Sequence, residues 1–242
     1  MKKNILILGY GDIASRLSAI LSKDIYKIYG ISRSKKNELD NFIEWDWTST
    51  ELPNLECKNY ESVIFIPKPS NSHQEGYHEG FLKSSDNTFV LLEASKKIIY
   101  KKFITISSTG AYGLKTRQDS YLDESSNIVP MYTEKDTHAE DDVELGQHII
   151  RQYELKQINR YKSKLILLRF SGLYTSKPKS KNHLHRDNAA KIIKFFIEND
   201  FKFSSHEIFN CTEDAKLFVG EKKSSYGNIS NEKLKKLGFI FD

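Results

Sequence analysis

Leu6-Ile7-Leu8-Gly9-Tyr10-Gly11-Asp12-Ile13-Ala14 is the stretch of this 242-residue chain that decides its fold. The apolar run Asn4–Leu8 predicts a buried strand, and a helical pattern follows from Asp12 to about Ser22. Gly9 allows a tight turn between them, Gly11 lets the backbone approach a pyrophosphate, and Ala14 lets the helix pack closely on the strand. A plain tight turn is the alternative, but the strand–turn–helix context predicts a dinucleotide site.

Arg33 follows the second predicted strand, Tyr26–Ser32, at the place where an NAD-selective site carries an acidic residue for the ribose hydroxyls. A guanidinium between the hydroxyls of Ser32 and Ser34 instead suits a 2′-phosphate. We therefore predict NADP as the cofactor. NAD remains the alternative, because Arg33 could also be an ordinary surface charge.

The other predicted cofactor contacts lie in the glycine turn and at the ends of neighbouring strands. Tyr10 could contact the cofactor or the substrate, or it could pack in the core. Asp46 could hydrogen-bond the adenine amine or lie on the surface at a strand end. The full predicted set is Gly9, Tyr10, Gly11, Asp12, Ile13, Ser32, Arg33, Ser34, Asp46, Ile66 and Pro67.

Short β-rich runs alternate with longer helical patterns along the chain, which is typical of parallel βαβ units. Strands are predicted at Asn4–Leu8, Tyr26–Ser32, Phe42–Trp47, Ser62–Ile66, Lys102–Ser107, Lys164–Phe170 and Glu207–Cys211, and helices at Asp12–Ser22, Gly80–Lys97, Asp142–Asn159, Asp187–Glu198 and Asn231–Leu237. We predict an α/β fold: a Rossmann-type, doubly wound parallel sheet in a single NAD(P)-binding domain, residues 1–242. A small C-terminal substrate-side lobe is expected around residues 173–185 and 203–227.

Composition limits the classes of function. Hydrophobic residues make up 38% of the chain, so it can bury a core, and the net charge of +5 comes from scattered lysines without a basic block. We therefore expect neither nucleic acid nor a membrane as a partner. The expected partner is a small-molecule substrate, and a homodimer is possible. The two cysteines form no C-x-x-C pair, and the first apolar run is too short for an export signal. These features predict a cytoplasmic protein.

Five segments in sequence order resemble one family. They are the glycine turn, Ile106-Ser107-Ser108-Thr109-Gly110-Ala111-Tyr112-Gly113, Leu168-Arg169-Phe170-Ser171-Gly172-Leu173-Tyr174, Asn182-His183-Leu184-His185-Arg186-Asp187-Asn188-Ala189, and Asn228-Ile229-Ser230-Asn231-Glu232-Lys233-Leu234. Together they resemble the short-chain dehydrogenase/reductase superfamily, in its extended and atypical NAD-dependent epimerase/dehydratase-like branch. The likeness is to short bacterial members described as nucleoside-diphosphate-sugar epimerases, and it runs over almost the whole chain.

The resemblance implies that Ser108 hydrogen-bonds a substrate hydroxyl or carbonyl. It also implies a tyrosine that moves the proton and a lysine four residues later that lowers the pKa of that tyrosine, but no Y-x-x-x-K follows Ser108. In one alignment Tyr132 is the tyrosine and Lys135, three residues on, shares its helical face. In the other, which we favour for the length of the run from Glu154 to Arg169, Gly146 and Ile150 replace the pair.

Two functions from different classes follow. The first is an NAD(P)-dependent oxidoreductase or epimerase-like protein acting on a small hydroxylated or nucleotide-linked substrate, with Ser108, Tyr132 and Lys135 as candidate catalytic residues. The second is a catalytically inactive dinucleotide-binding sensor or scaffold, which the missing dyad favours. Tyr112 is a surrogate proton donor or a packing residue. His183 and His185 form H-x-H without a third ligand nearby, so no metal site is predicted.

Overall fold

The structure is a computed structural model that describes residues 1–33, 39–45, 53–55, 57–66, 98–113, 121–128, 142–178, 180–214 and 228–241. For residues 142–149 it describes the backbone alone. The strands in chain order are β1 (Lys3–Leu8), β2 (Tyr26–Ser32), β3 (Asn41–Glu44), β4 (Asn59–Phe65), β5 (Ile99–Ser108), β6 (Tyr121–Leu122), β7 (Leu165–Phe170), β8 (Gly172–Tyr174), β9 (His183–His185), β10 (Glu207–Cys211) and β11 (Asn228–Ile229). The helices are α1 (Asp12–Ile20), α2 (Asp142–Tyr161), α3 (Arg186–Glu198) and α4 (Glu232–Lys236).

Seven of the described strands form one parallel sheet in the order β10-β7-β5-β4-β1-β2-β3. Strands β1 and β7 carry near-continuous apolar runs, as expected for strands that are covered on both faces. The strand order reverses between β1 and β4. In open parallel sheets a ligand binds outside the carboxyl ends of the strands at such a reversal, which here places the crevice beside the glycine turn.

Helices cover both faces of the sheet. Ile5 and Ile7 of β1 belong to a buried cluster that includes the apolar residues of α1 and α3. Leu6 and Leu8 point to the opposite face, into a cluster that includes residues of α2. This alternation along one strand produces two cores, and the predicted doubly wound α/β sheet is confirmed.

Two small parallel sheets, β8 with β9 and β6 with β11, lie outside the main sheet. The sequence patterns did not predict them, and several main-sheet strands and helices begin or end two or three residues from the predicted bounds. The predicted helix at 80–97 lies outside the described residues. None of the helices in the described ranges combines the length and the hydropathy that crossing a bilayer requires.

Candidate functional site

Gly9 begins the turn after β1 with a φ of +88°, in the left-handed region that favours glycine. Its N–H and that of Tyr10 donate to the carbonyl of Ile31 at 2.9 and 3.0 Å, which fixes the turn to the end of β2. A Cβ at position 9 would overlap the carbonyl oxygen of Ile66, which follows β4. The packing of three adjacent strand ends therefore requires glycine here.

Gly11 is the N-cap of α1, and no side chain caps this helix. A Cβ built on Gly11 meets no atom within 4 Å, so the space beside it is open. The N–H groups of the first helical turn have no intrahelical partner, and together with the helix dipole they suit an anion. Ile13 and Ala14 are buried where α1 packs on the sheet. A pyrophosphate fits this opening, which a larger side chain at position 11 would fill.

The side chains of Tyr10 and Asp12 are engaged elsewhere. The Tyr10 ring is buried, packs edge-on against Phe42, and its hydroxyl donates to Ser18 Oγ at 2.9 Å. The Asp12 carboxylate lies 3.0 Å from Nη1 of Arg186, at the start of α3. The Tyr10 N–H and hydroxyl both donate within the protein, so of these two predicted cofactor contacts only the Asp12 N–H, at the start of α1, suits a ligand in the crevice.

The end of β2 lies next to the glycine turn. Ser32 is half-buried and its carbonyl accepts from the Trp45 N–H at 3.0 Å, while Arg33 is exposed. Ile66, on the other side of the turn, is half-buried and its N–H donates to the carbonyl of Leu8 at 2.9 Å. Three predicted cofactor residues lie outside the described residues: Ser34, Asp46 and Pro67.

Ser108 ends β5 and is half-buried. Its Oγ accepts a hydrogen bond from the Gly110 N–H at 3.1 Å, at the start of a short 3₁₀ helix, Thr109–Tyr112. Because this bond uses an oxygen lone pair, the hydroxyl proton remains able to donate to a ligand. The carboxyl end of β5 lies on the same edge of the sheet as the glycine turn, so this donor faces the edge where ligands bind.

The residue pair expected to assist Ser108 is only partly described. Tyr132 and Lys135 lie outside the described residues. Ile150, which the favoured alignment puts in place of the lysine, lies on α2 and is buried. A Cβ built on Gly110 would lie 3.3 Å from both Ile150 Cδ1 and Ser108 Oγ, so an apolar side chain flanks the Ser108 turn.

A buried ion pair lies under this turn. Glu154 of α2 and Arg169 of β7 are 0% and 1% exposed and form two hydrogen bonds, Nε to Oε1 at 2.9 Å and Nη2 to Oε2 at 2.7 Å. Ser107 donates to Glu154 Oε1 at 2.7 Å, and Arg169 Nη1 donates to the Tyr112 hydroxyl at 2.7 Å. The Tyr112 hydroxyl in turn donates to the carbonyl of Asp123 at 2.8 Å.

The protonation states of this network follow from its surroundings. Burial alone would lower the pKa of Arg169, but the pairing with Glu154 outweighs it and raises the pKa above its usual value. Burial raises the pKa of Tyr112, so its phenol stays protonated at neutral pH. Tyr112 is fully buried, with its ring 4.7 Å from the Arg169 guanidinium. These contacts favour packing over surrogate proton donation as the role of Tyr112.

No family model matches the chain, and no curated protein matches its sequence. Solved structures do match. A Methylobacillus flagellatus protein assigned to the NAD-dependent epimerases/dehydratases gives a TM-score of 0.69 at 17% identity, over 100% of this chain and 93% of that one. Yeast methylglyoxal/isovaleraldehyde reductase, solved with NADPH, gives a TM-score of 0.69 at 11% identity, over 99% of this chain and 94% of that one. A human epimerase family protein, also solved with NADPH, gives a TM-score of 0.64 at 13% identity, over 99% of this chain and 95% of that one.

The chain has the same fold as these structures. At 11–17% identity these likenesses establish the architecture, a Rossmann-type α/β fold, over nearly the full length of each chain. The resemblance inferred from the five motifs is confirmed at the level of the fold.

A second polar cluster, which sequence reasoning missed, lies beyond the carboxyl end of β10. The Glu213 carboxylate accepts from the His185 N–H, the Asn188 amide and the Tyr174 hydroxyl, each at 2.7 Å. Burial and the bond to Glu213 raise the pKa of Tyr174 to about 12. These contacts hold β8, β9 and the start of α3 together on the side where the substrate lobe was predicted.

The H-x-H pair belongs to this cluster. His183 is fully buried, with Nδ1 donating to the carbonyl of Ser180 at 3.0 Å and Nε2 lying 3.6 Å from Glu213. His185 Nδ1 accepts from the Asp187 N–H and so caps α3. Among the described residues no group of three His, Cys, Asp or Glu side chains could hold a metal ion.

Proposed function

We propose that the chain is an NADP-dependent member of the short-chain dehydrogenase/reductase superfamily that catalyses oxidoreduction or an epimerase-like reaction. The observation that carries the proposal is the contrast between the two glycines of the turn. Gly9 is closed against Ile66, whereas Gly11 opens onto an uncapped helix N-terminus at the point where the strand order reverses. That combination favours a pyrophosphate ligand over a plain turn.

The chain's own residues would hold the cofactor in a defined way. Backbone N–H groups at Asp12 and Ile13 would bind the pyrophosphate, and the exposed Arg33 guanidinium would bind the 2′-phosphate. Two of the structurally similar proteins were solved with NADPH, which supports NADP over NAD. The cofactor, when bound, supplies or accepts a hydride.

Ser108 is the proposed substrate contact. Its hydroxyl proton remains able to donate, and its strand end lies on the same edge of the sheet as the glycine turn. A donor in this position polarises a carbonyl oxygen and orients the substrate against the cofactor. We propose a small hydroxylated or nucleotide-linked substrate, bound between Ser108 and segments around residues 173–185 and 203–227 of the same domain.

A second candidate function is dinucleotide binding without catalysis, as a sensor or a scaffold. Ile150 favours it, because this apolar side chain flanks the Ser108 turn where the resemblance implies a lysine. A phenol with an unperturbed pKa near 10 is a poor base at neutral pH unless a cation assists it. The two functions share the cofactor site and differ in turnover.

Gly11→Val tests the cofactor site. The added side chain would occupy the opening beside the helix N-terminus, and we expect most of the NADPH affinity, at least about 3 kcal/mol, to be lost while the fold survives. Calorimetric titration of the folded variant with NADPH measures this. Ala19→Val, at an exposed position of the same helix, is the matched control and should bind as the wild type does. Unchanged NADPH affinity in Gly11→Val would refute the site.

Ser108→Ala separates the two functions. If the chain is an enzyme, NADPH oxidation with a panel of small aldehydes and ketones should fall by roughly 100-fold or more in this variant, because one transition-state hydrogen bond is worth about 2.7–4 kcal/mol. NADPH affinity should change far less than turnover, because the glycine turn and Arg33 still hold the rest of the cofactor. Tight NADPH binding by the wild type, with no oxidation by any carbonyl, would instead support the sensor.

A further inference from the structure

Ser107 and Tyr112 bracket Ser108 in the sequence, and both are bonded to one buried ion pair. Ser107, immediately before Ser108, donates to Glu154. Tyr112, four residues after Ser108, accepts from Arg169. Glu154 and Arg169 are themselves joined by two hydrogen bonds. The segment that presents Ser108 is therefore clamped at both ends by a single pair of charges.

We propose that Glu154 and Arg169, acting through Ser107 and Tyr112, are positioning residues that hold the Ser108 turn against the nicotinamide end of the cofactor. This inference rests on the proposed function, because it assigns the network a role in the same site. Under this proposal four residues, Ser107, Tyr112, Glu154 and Arg169, make no contact with the ligand but determine the position of Ser108.

The energetics make the pair an effective clamp. Both charges are buried, so removing Glu154 would leave Arg169 without its ion-pair partner in a low-dielectric environment. Glu154 has a second, more distant cation, Arg151, whose Nη1 lies 3.9 Å from its Oε2. The two parallel hydrogen bonds of a guanidinium and a carboxylate also fix direction, which a single contact would not. Helix α2 and strand β7 are thus locked to each other, and the Ser108 turn is bonded to both.

The ion pair fixes the orientation of the Ser108 hydroxyl through the turn. Its Oγ accepts from the Gly110 N–H, inside the turn that Tyr112 closes. The Tyr112 hydroxyl is held by Arg169 on one side and donates to the carbonyl of Asp123 on the other. If the Tyr112 hydroxyl is lost, the Tyr112 ring still packs in the core, but the turn loses its hydrogen bonds to Arg169 and to the Asp123 carbonyl. Those bonds fix the position of the turn relative to the sheet.

The experiment uses two conservative variants, Ser107→Ala and Tyr112→Phe, which leave the ion pair intact. Each is titrated by calorimetry with NADPH and with 2′-phospho-ADP-ribose, which is NADP without its nicotinamide. We expect the Kd for NADPH to rise about fivefold or more in each, since a hydrogen bond is worth about 1 kcal/mol. The Kd for 2′-phospho-ADP-ribose should stay within about twofold, because the glycine turn is untouched.

Tyr60→Phe is the matched control. It also removes a buried phenol–carbonyl hydrogen bond, from the Tyr60 hydroxyl to Cys57 at 3.0 Å, but at the amino end of β4. It should lower the unfolding midpoint as Tyr112→Phe does, without changing the Kd for either ligand. The double variant Ser107→Ala/Tyr112→Phe should weaken NADPH binding by less than the product of the two single effects, because both act through one ion pair.

Each outcome has a consequence. If the variants bind both ligands equally more weakly than the wild type, or bind both as tightly as it does, the positioning role is overturned and the network is purely structural. Equal wild-type affinity for the two ligands also overturns it, since the nicotinamide end would then gain nothing from the Ser108 turn. If the wild type binds neither ligand, the proposed function itself fails, and the positioning role fails with it.

Discussion

Gly9 and Gly11 lie two residues apart and differ in what a side chain would meet. At position 9 a Cβ would overlap the backbone of Ile66, and the positive φ adds strain for any other residue. At position 11 a Cβ would meet nothing within 4 Å. Substitution of Gly9 should therefore damage folding, whereas substitution of Gly11 should damage ligand binding. The shared G-x-G pattern has two separate physical causes.

Arg33→Ala tests the choice between NADP and NAD. Charge-assisted hydrogen bonds to the 2′-phosphate contribute about 1.5–3 kcal/mol, so the variant should lose at least about tenfold in NADPH affinity. Affinity for NADH should change little, because NADH lacks that phosphate. Calorimetry at a fixed ionic strength measures both, and Lys202→Ala, which removes an exposed charge near the amino ends of the strands, is the control. Tighter binding of NADH than NADPH by the wild type would contradict the preference.

At the scale of elements, the strands of the main sheet and the described helices were predictable, whereas the strands of two or three residues outside the main sheet were not. Runs such as Leu165–Phe170, buried at every position, carry their own signal. Strands β8 and β9 have three residues each, too few to show a period, and they form because of distant contacts. The Glu213 N–H, for example, donates to the carbonyl of His183 at 2.8 Å, 30 residues away in the chain. Such pairings depend on the assembled fold.

The candidate site likewise has a part that the local sequence predicts and a part that only the assembled fold brings together. The glycine turn is a local pattern, so its residues could be identified from the sequence. The pair Glu154–Arg169 joins a helix to a strand, and its only sequence signal is a charge inside the apolar run of β7. The side of the turn on which Tyr112 lies could not be read from spacing either. Its hydroxyl bond to Arg169 decides that it belongs to the core.

At the scale of the whole molecule, the two parts of the proposed site belong to different halves of the sheet. The glycine turn and Arg33 lie at the ends of β1 and β2, and Ser108 lies at the end of β5, across β4. A dinucleotide bound in the orientation that we propose has to span both halves. Its adenine half would stabilise the ends of β1 and β2, and its nicotinamide would stabilise the end of β5.

Hydrogen exchange with two ligands can show whether one molecule spans both halves. At a concentration 100 times its Kd, NADPH stabilises the bound state by about 2.7 kcal/mol, which slows amide exchange up to roughly 100-fold where exchange requires release of the ligand. We expect NADPH to protect both Gly9–Ile13 and Thr105–Gly113. At equal saturation, 2′-phospho-ADP-ribose should protect the first segment and leave Thr105–Gly113 much less protected, because it lacks the nicotinamide. Mass spectrometry of peptic peptides measures both segments, and Gly11→Val with NADPH should show protection of neither. Protection by NADPH that is confined to Gly9–Ile13 would mean that the nicotinamide lies away from Ser108, which would contradict hydride transfer at this strand end.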